Sequence, residues 1–243
     1  MKQFLFAIII IGLGTYKYYT LPKKITIESM GAKHSFSYSI AGAGSKFYEL
    51  GQEHPLIVLL HDKEHSPEDL YNKLVGKIKD KYRFLLISSP YRNLKIFGWA
   101  KDEDEFSVSA ENAQKAIQQM MLDIKTKGNP ILVGYKEGAD MVYYLATHFG
   151  KQYSFAFPIG GQIDSKLLTV ERDRLDEGKY VKIFAYHGRE DKKLLKMAEE
   201  TVINIRRKNY DIDLMDFDGP LDNIFRGENA DLNSEIMIRI SEF

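Results

Sequence analysis

The stretch PILVGYKEG, residues 130–138, has the spacing of a catalytic turn. Its apolar run ends at Gly134, Gly138 follows four residues later, and an amphipathic segment then begins, which predicts a buried strand, a tight turn and a helix. In a nucleophile elbow of this kind the turn holds the central side chain clear of the sheet, and the flanking glycines allow close strand–helix packing. The predicted elbow consists of Gly134, Tyr135, Lys136, Glu137 and Gly138. Nucleophilic catalysis there needs Ser, Cys or Asp at the centre, and this chain has Lys136.

A second candidate site is the segment His61-Asp62-Lys63-Glu64-His65, which fits the zinc-peptidase pattern H-x-x-E-H. In that pattern both histidines share one face of a helix. Here the segment follows an apolar run and precedes a helix N-cap signal at Ser66, so we expect a loop. The prediction is therefore no metal, with His61, Glu64 and His65 as the weak candidates for one, and no cofactor.

Two further features carry polar or aromatic groups in predicted connections. Trp99, the only tryptophan, precedes an acidic run from Asp102 to Glu105. These residues line a ligand pocket in one interpretation, and Trp99 is a packing anchor in the other. His187, at the end of a predicted strand, is expected to be structural.

Composition excludes several classes of function. Lys and Arg total 34, Asp and Glu also total 34, and there is no cysteine. The charge balance argues against nucleic acid as a partner. The absence of thiols excludes disulfides, thiolate metal sites and a cysteine nucleophile. With 243 residues the chain is long enough for one large α/β domain.

The N-terminus differs from this globular profile. Residues 4–13, FLFAIIIIGL, form an uninterrupted apolar run, and the flank TYKYYTLPKK offers no small-residue cleavage site. A bilayer span needs about 20 apolar residues, with a lower limit of about 17. Residues 3–21 reach this length if Lys17 snorkels to the interface. We therefore predict an uncleaved anchor over residues 1–22 and a folded domain over residues 23–243, with a cleaved signal peptide or a buried helix as the alternatives.

Periodicity predicts the elements that position these side chains. Two alternating runs, residues 24–30 and 34–40, predict an antiparallel hairpin. Continuous apolar runs at residues 55–60, 84–88, 131–133, 153–159 and 180–186 predict buried strands of a mostly parallel sheet. Helices are expected over residues 66–79, 109–127, 192–208 and 231–243, with a further strand over residues 211–218. The predicted class is α/β, with helices on both faces of the sheet.

The hairpin, the β-α repeats and the central elbow resemble the α/β-hydrolase superfamily, in its carboxylesterase, phospholipase and acyl-thioesterase branch. The motifs that carry the resemblance are PLIVLLHD, the Trp99 connection, LVGYKEGADM and FAYHGRED. The resemblance implies a nucleophile, then an acid, then a histidine along the chain. These positions match Lys136, Asp191 and Pro220, and no histidine occurs after His187.

The oxyanion loop departs from the superfamily as well. Its members tend to have His-Gly-x-Gly after the third strand, whereas this chain has His61, Asp62 and Lys63, followed by Glu64. Loss of triad members reduces hydrolysis by up to about 10⁶-fold. The resemblance therefore predicts a degenerate triad, and from it a pseudo-enzyme rather than an enzyme.

Three roles are open for Lys136: an ion pair with Asp191 or Glu137, a solvent-facing lysine, or a Schiff-base nucleophile. We expect the ion pair. The predicted function is a membrane-anchored, catalytically inactive structural or protein-interaction component of a membrane or envelope assembly. Its folded domain would lie in the periplasm, outside the cytoplasm or on a virion surface, with the orientation open. The alternatives are a serine-independent esterase, a metal hydrolase using His61 and His65, and a ligand sensor that uses the cleft.

Overall fold

The chain enters its sheet through the predicted antiparallel hairpin. In this computed structural model, which describes residues 22–29, 31–43, 45, 53–74, 81–93, 96–100, 102–168 and 180–225, β1 spans Lys23–Ser29 and β2 spans Ala32–Gly42. Alternation along β2 directs Phe36 and Tyr38 into the core. The hairpin prediction is confirmed.

Eight strands form one sheet in the order β1-β2-β4-β3-β7-β8-β9-β10. The central parallel strands are β3 (Leu56–Leu60), β4 (Arg83–Ile87), β7 (Ile131–Tyr135) and β8 (Phe155–Ile159), and every residue in them is buried. The sheet continues through β9 (Lys182–Gly188) to β10 (Ile212–Phe217). Strand β2 is antiparallel to both of its neighbours, β1 and β4, and the other strand pairs of this sheet are parallel. The predicted α/β class with a mostly parallel sheet is confirmed.

Four helices lie in the described part of the chain. They are α1 (Pro67–Leu74), α2 (Glu103–Leu122), α3 (Glu137–Phe149) and α4 (Lys192–Arg207). One apolar cluster on the sheet includes Ala113, Met141 and Val202 from α2, α3 and α4, and a second includes Leu70 from α1. The sheet is therefore covered on both faces, and α2 begins earlier than predicted because Asp102 caps it by accepting from Glu105 N–H.

The connection after β4 contains an element that the sequence did not indicate. Strands β5 (Tyr91–Asn93) and β6 (Ile96–Gly98) pair as a second, two-stranded antiparallel sheet. They immediately precede Trp99 and the start of α2, at the edge of the sheet where the candidate site lies.

The predicted anchor and the predicted C-terminal helix fall outside the described residues, apart from Pro22. Within the described residues, no helix combines the length and the apolar character needed to span a membrane.

Candidate functional site

The elbow has the backbone that its glycines predicted. A Cβ on Gly134 would lie 2.2 Å from the Gly138 carbonyl oxygen, and a Cβ on Gly138 would lie 2.0 Å from the Leu60 carbonyl oxygen. Between them Lys136 has φ 49° and ψ −116°, a region that L-residues rarely adopt. Its N–H donates to the Ile159 carbonyl at 2.8 Å. The turn between β7 and α3 therefore holds a strained central residue at the carboxyl edge of the sheet.

The Lys136 ammonium lies between two carboxylates from other loops. Its Nζ is 3.5 Å from Glu64 Oε2 and 3.9 Å from Asp222 Oδ1, and its side chain is 34% exposed. Among the ion pairs of the described residues there is none between Lys136 and Asp191, and Glu137 pairs with Lys63 instead. The predicted partners of Lys136 were therefore wrong, because the loops after β3 and β10 place Glu64 and Asp222 beside its ammonium.

Tyr135, the last residue of β7, contacts both Asp222 and Lys136. Its hydroxyl donates a short hydrogen bond to Asp222, and the Lys136 Nζ lies 5.2 Å from the centre of its ring. This hydroxyl lowers the pKa of Asp222, while burial and then Asp222 raise that of Tyr135. Asp222 therefore remains a carboxylate beside the ammonium at neutral pH.

The two positions that correspond to the acid and the histidine of the predicted triad, Asp191 and Pro220, also lie close together. Asp191 precedes α4, and its Oδ2 accepts from the Leu221 N–H at 3.3 Å, directly after Pro220. Leu221 and Asp222 belong to a 3₁₀ turn that spans Leu221–Phe225. Asp191 thus lies beside the segment that follows Pro220, and Asp222 of the same segment contacts Lys136.

His61 has a structural role at the end of β3. The Ser89 N–H donates to Nε2 at 3.0 Å, so the proton is on Nδ1, which donates to the Asp62 carbonyl at 2.6 Å. The Trp99 indole N–H donates to the His61 carbonyl at 2.7 Å. Burial lowers the pKa of His61, which keeps the ring neutral. Both ring nitrogens are engaged, so His61 links three segments of chain.

The other residues of this loop are paired individually. The Asp62 carboxylate accepts from His65, Glu64 pairs with Lys136, and the Lys63 backbone N–H donates to Glu137 Oε2 at 3.3 Å. In the described part of the chain no group of three or more His, Asp or Glu side chains is arranged to hold a metal ion. The side chains of the H-x-x-E-H pattern therefore have separate partners. His187 is buried at the end of β9, with its Nδ1 3.3 Å from the Gly188 carbonyl.

A cleft of about 1000 Å³ is lined by Glu137 of the elbow and not by Lys136. Trp99, Phe106, Ile163, Leu167 and Met197 give it apolar walls. Its charged lining consists of six acidic and two basic side chains: Asp102, Asp104, Glu137, Asp140, Asp164, Glu200, Lys63 and Lys166. Trp99 is thus buried, as expected of a packing anchor, and it also lines this cleft.

Asp140 is the acid of this cleft with the most unusual environment. The Gln162 N–H donates to its Oδ1 at 2.7 Å. Burial raises the pKa of Asp140 well above its usual range, and the neighbouring Glu137 carboxylate adds to the rise. Asp140 was not predicted as a site residue, although its position three residues after Glu137 on a predicted helix places both acids on one face. Asp222 was not predicted either, because no local sequence pattern indicates it.

No protein-family model and no curated protein matches the sequence. Solved structures do match. A carboxylesterase from Bacillus cereus has a TM-score of 0.64 at 11% identity, over 86% of this chain and 95% of that one. A carboxylesterase from Mesorhizobium loti has a TM-score of 0.64 at 12% identity, over 90% and 98%. Esterase PE8 has a TM-score of 0.60 at 17% identity, over 85% and 98%. The chain has the α/β-hydrolase fold.

These similarities correct one prediction. The matched structures are carboxylesterase-type enzymes, so the fold is that of an enzyme, and the prediction of a non-enzyme is contradicted. The prediction rested on Lys136 at the elbow, the absence of a histidine after His187 and the charged residues after the third strand, all of which concern the triad and its oxyanion loop rather than the fold.

Proposed function

We propose that this protein is a membrane-tethered binding component with an α/β-hydrolase fold, and that its acidic cleft receives a basic segment of a partner protein. The observation that carries the proposal is the lining of the cleft, with six acidic against two basic side chains around apolar walls. A cleft lined by one sign of charge concentrates ligands of the opposite sign.

The lining favours lysine or arginine over a small inorganic cation. The stems of these side chains are apolar and their ends are charged, so they can lie along Trp99 and Phe106 while the charge reaches Asp140 or Glu200. Lys63 is already paired with Glu137 at 3.2 Å, which reduces its repulsion of an incoming cation. The partner segment is therefore expected to combine basic and apolar residues.

The test is fluorescence anisotropy of a labelled Lys- and Arg-rich peptide with the full chain in detergent. The double variant Asp140→Asn/Glu200→Gln should bind about five- to tenfold more weakly, because each partly exposed charge pair contributes up to about 1 kcal/mol. The matched control is Glu199→Gln, since Glu199 is an exposed neighbour on α4 that does not line the cleft. Equal binding of a peptide with Gln in place of every Lys and Arg would rule the proposal out.

We further infer that the serine-type triad is degenerate. Lys136 at the elbow and the absence of histidine after His187 support this inference, and so does the Lys136 ion pair with Glu64. The apolar run in residues 3–21 supports tethering to a membrane, and the acidic cleft supports protein partners in an assembly there.

A further inference from the structure

The amino ends of the parallel strands form the edge of the sheet opposite the elbow, and exposed lysines lie along this edge. Lys81 precedes β4, and Lys125 and Lys127 precede β7. Within the described residues none of these three lysines forms an ion pair. The acids described before β3, β4 and β7 are Glu53 and Asp123, and Asp123 is already paired with a lysine. The three lysines therefore give this part of the edge a net positive charge.

The segment between α2 and β7 holds two of these lysines in fixed positions. The Arg83 guanidinium donates to the Lys125 carbonyl at 2.9 Å, and the Lys127 N–H donates to the His54 carbonyl at 3.0 Å. Ile124 is buried, whereas the lysines that follow it are exposed. The backbone of the segment is therefore tied to β4 and to the chain before β3, and its two ammonium groups are accessible from outside.

Leu122, the last residue of α2, adds an apolar group to the same surface. It is 86% exposed, more than any other large hydrophobic residue that the structure describes. Lysines beside an exposed apolar side chain are typical of surfaces that lie at a membrane interface. We call Leu122, Lys81, Lys125 and Lys127 the basic edge.

The predicted membrane span ends near the basic edge. The span covers residues 3–21, and β1 begins two residues later at Lys23. Both β1 and β4 are antiparallel to β2, so the chain reaches β1 from the side of the amino ends. The Lys23 Nζ lies 3.2 Å from the carboxylate of Asp123, which directly follows Leu122. Two residues extend over at most about 7 Å, so a bilayer that holds the span lies close to this surface.

We propose that the basic edge contacts the anionic lipid headgroups of the membrane that holds the tether, and that the cleft faces away from the bilayer. This orientation rests on the proposed tether. Exposed lysines next to a membrane are attracted to anionic lipids. The acidic cleft lies at the carboxyl ends of the strands, and the same lipids repel it. The charges at the two ends of the strands thus favour one orientation, in which the cleft is open to a partner.

The test uses the full chain in vesicles of phosphatidylcholine alone, or of phosphatidylcholine and phosphatidylglycerol in equal parts. Because the chain has no cysteine, Leu122→Cys can carry a single environment-sensitive fluorophore. Its emission should be higher in the anionic vesicles. The difference should disappear in about 1 M salt, where charges are screened beyond about 3 Å. The same label at Ser165→Cys, an exposed residue of the cleft, should give equal emission in both vesicles.

Charge variants of the labelled chain test the lysines themselves. Lys125→Gln with Lys127→Gln should shift the equilibrium between membrane contact and solvent about 25-fold toward solvent, since each lysine near an anionic surface contributes about fivefold. Lys125→Arg with Lys127→Arg retains both charges and should behave as the unmodified lysines do. The matched control is Lys192→Gln with Lys193→Gln, two exposed lysines at the start of α4, after the carboxyl end of β9. It should leave the emission in anionic vesicles unchanged.

Flotation of the vesicles distinguishes failure of this proposal from failure of the tether. A chain that does not float with the neutral vesicles overturns the tether, and the orientation with it. A chain that floats with both vesicles but gives equal emission from Leu122→Cys overturns the orientation alone. An equal response of the label at Ser165→Cys, or an equal loss in the Lys192 and Lys193 control, also overturns it.

Discussion

Lys136 has φ 49° and ψ −116°, and this backbone conformation is costly for any residue with a Cβ. Conformations of this type cost about 1–3 kcal/mol. The ion pairs with Glu64 and Asp222 involve partly exposed side chains, and such pairs contribute at most about 1 kcal/mol. The ion pairs of Lys136 therefore contribute less free energy than the strained backbone costs. The packing of the elbow must stabilise this conformation instead.

Substitutions at Lys136 should separate strain from charge. Lys136→Ala removes the ion pairs and retains the strain, whereas Lys136→Gly removes both. We expect the free energy of unfolding, measured in urea, to be about 1–3 kcal/mol higher for the Gly variant than for the Ala variant, so that Gly is the more stable.

The control position is Lys196, an exposed residue within α4, where Gly should be less stable than Ala by about 1 kcal/mol. The same order of stability at both positions would show that position 136 is unstrained.

At the scale of elements, the elbow depends on the distance between α3 and β3. Gly138 lies against the end of β3, where an added Cβ would be 2.0 Å from the Leu60 carbonyl oxygen. That oxygen belongs to a buried backbone and cannot move as a flexible side chain would. The first turn of α3 is therefore held against the sheet at the point where the loop from His61 to His65 begins.

Gly138→Ala should lower the free energy of unfolding by about 3 kcal/mol or more, because backbone must shift to admit the methyl group. The control is Gly128→Ala, where φ is 74° and nothing lies within 4 Å of the added Cβ. That change should cost only the strain of a left-handed backbone conformation at an alanine, about 1–2 kcal/mol. Chemical denaturation measures both, and equal losses would contradict the close contact at Gly138.

At the scale of the whole molecule, the architecture could be predicted because its signals are local. Continuous apolar runs predicted the buried strands, and two glycines four residues apart predicted the elbow between β7 and α3. The short pair β5 and β6 was missed because three-residue strands are too short for a period to be visible.

The candidate sites were less predictable, because their residues come from distant parts of the chain. Asp222 reaches Lys136 from a 3₁₀ turn 86 positions later, and Glu200 and Asp104 line one cleft from different helices. The pairing of Asp62 with His65 is local, but the H-x-x-E-H pattern that includes the same histidine indicates a metal ligand rather than this pair. Sequence spacing gives the backbone of a site more reliably than the partners of its charges.

The proposed tether also concerns the whole molecule. The double substitution Ile9→Asp with Ile10→Asp places two charges within the apolar run. Each aspartate at the centre of a membrane costs about 3 kcal/mol of insertion free energy. The full chain should remain in the membrane fraction after carbonate extraction, and the double variant should move to the supernatant. The control is Ile9→Val with Ile10→Leu, which should remain in the membrane fraction. Release of the unmodified chain by carbonate would contradict the tether.

The environment of Asp140 has a consequence for the thermodynamics of any cation that enters the cleft. Because burial holds its pKa high, part of the Asp140 population retains a proton at a pH where an exposed aspartate is ionised. A bound cation favours the carboxylate, so binding and proton release are linked, and affinity for the cation rises with pH. Calorimetry in two buffers of equal pH and different ionisation enthalpy should give different observed heats. Asp140→Asn should make the two heats equal, and the cleft would then bind without exchanging protons with the solvent.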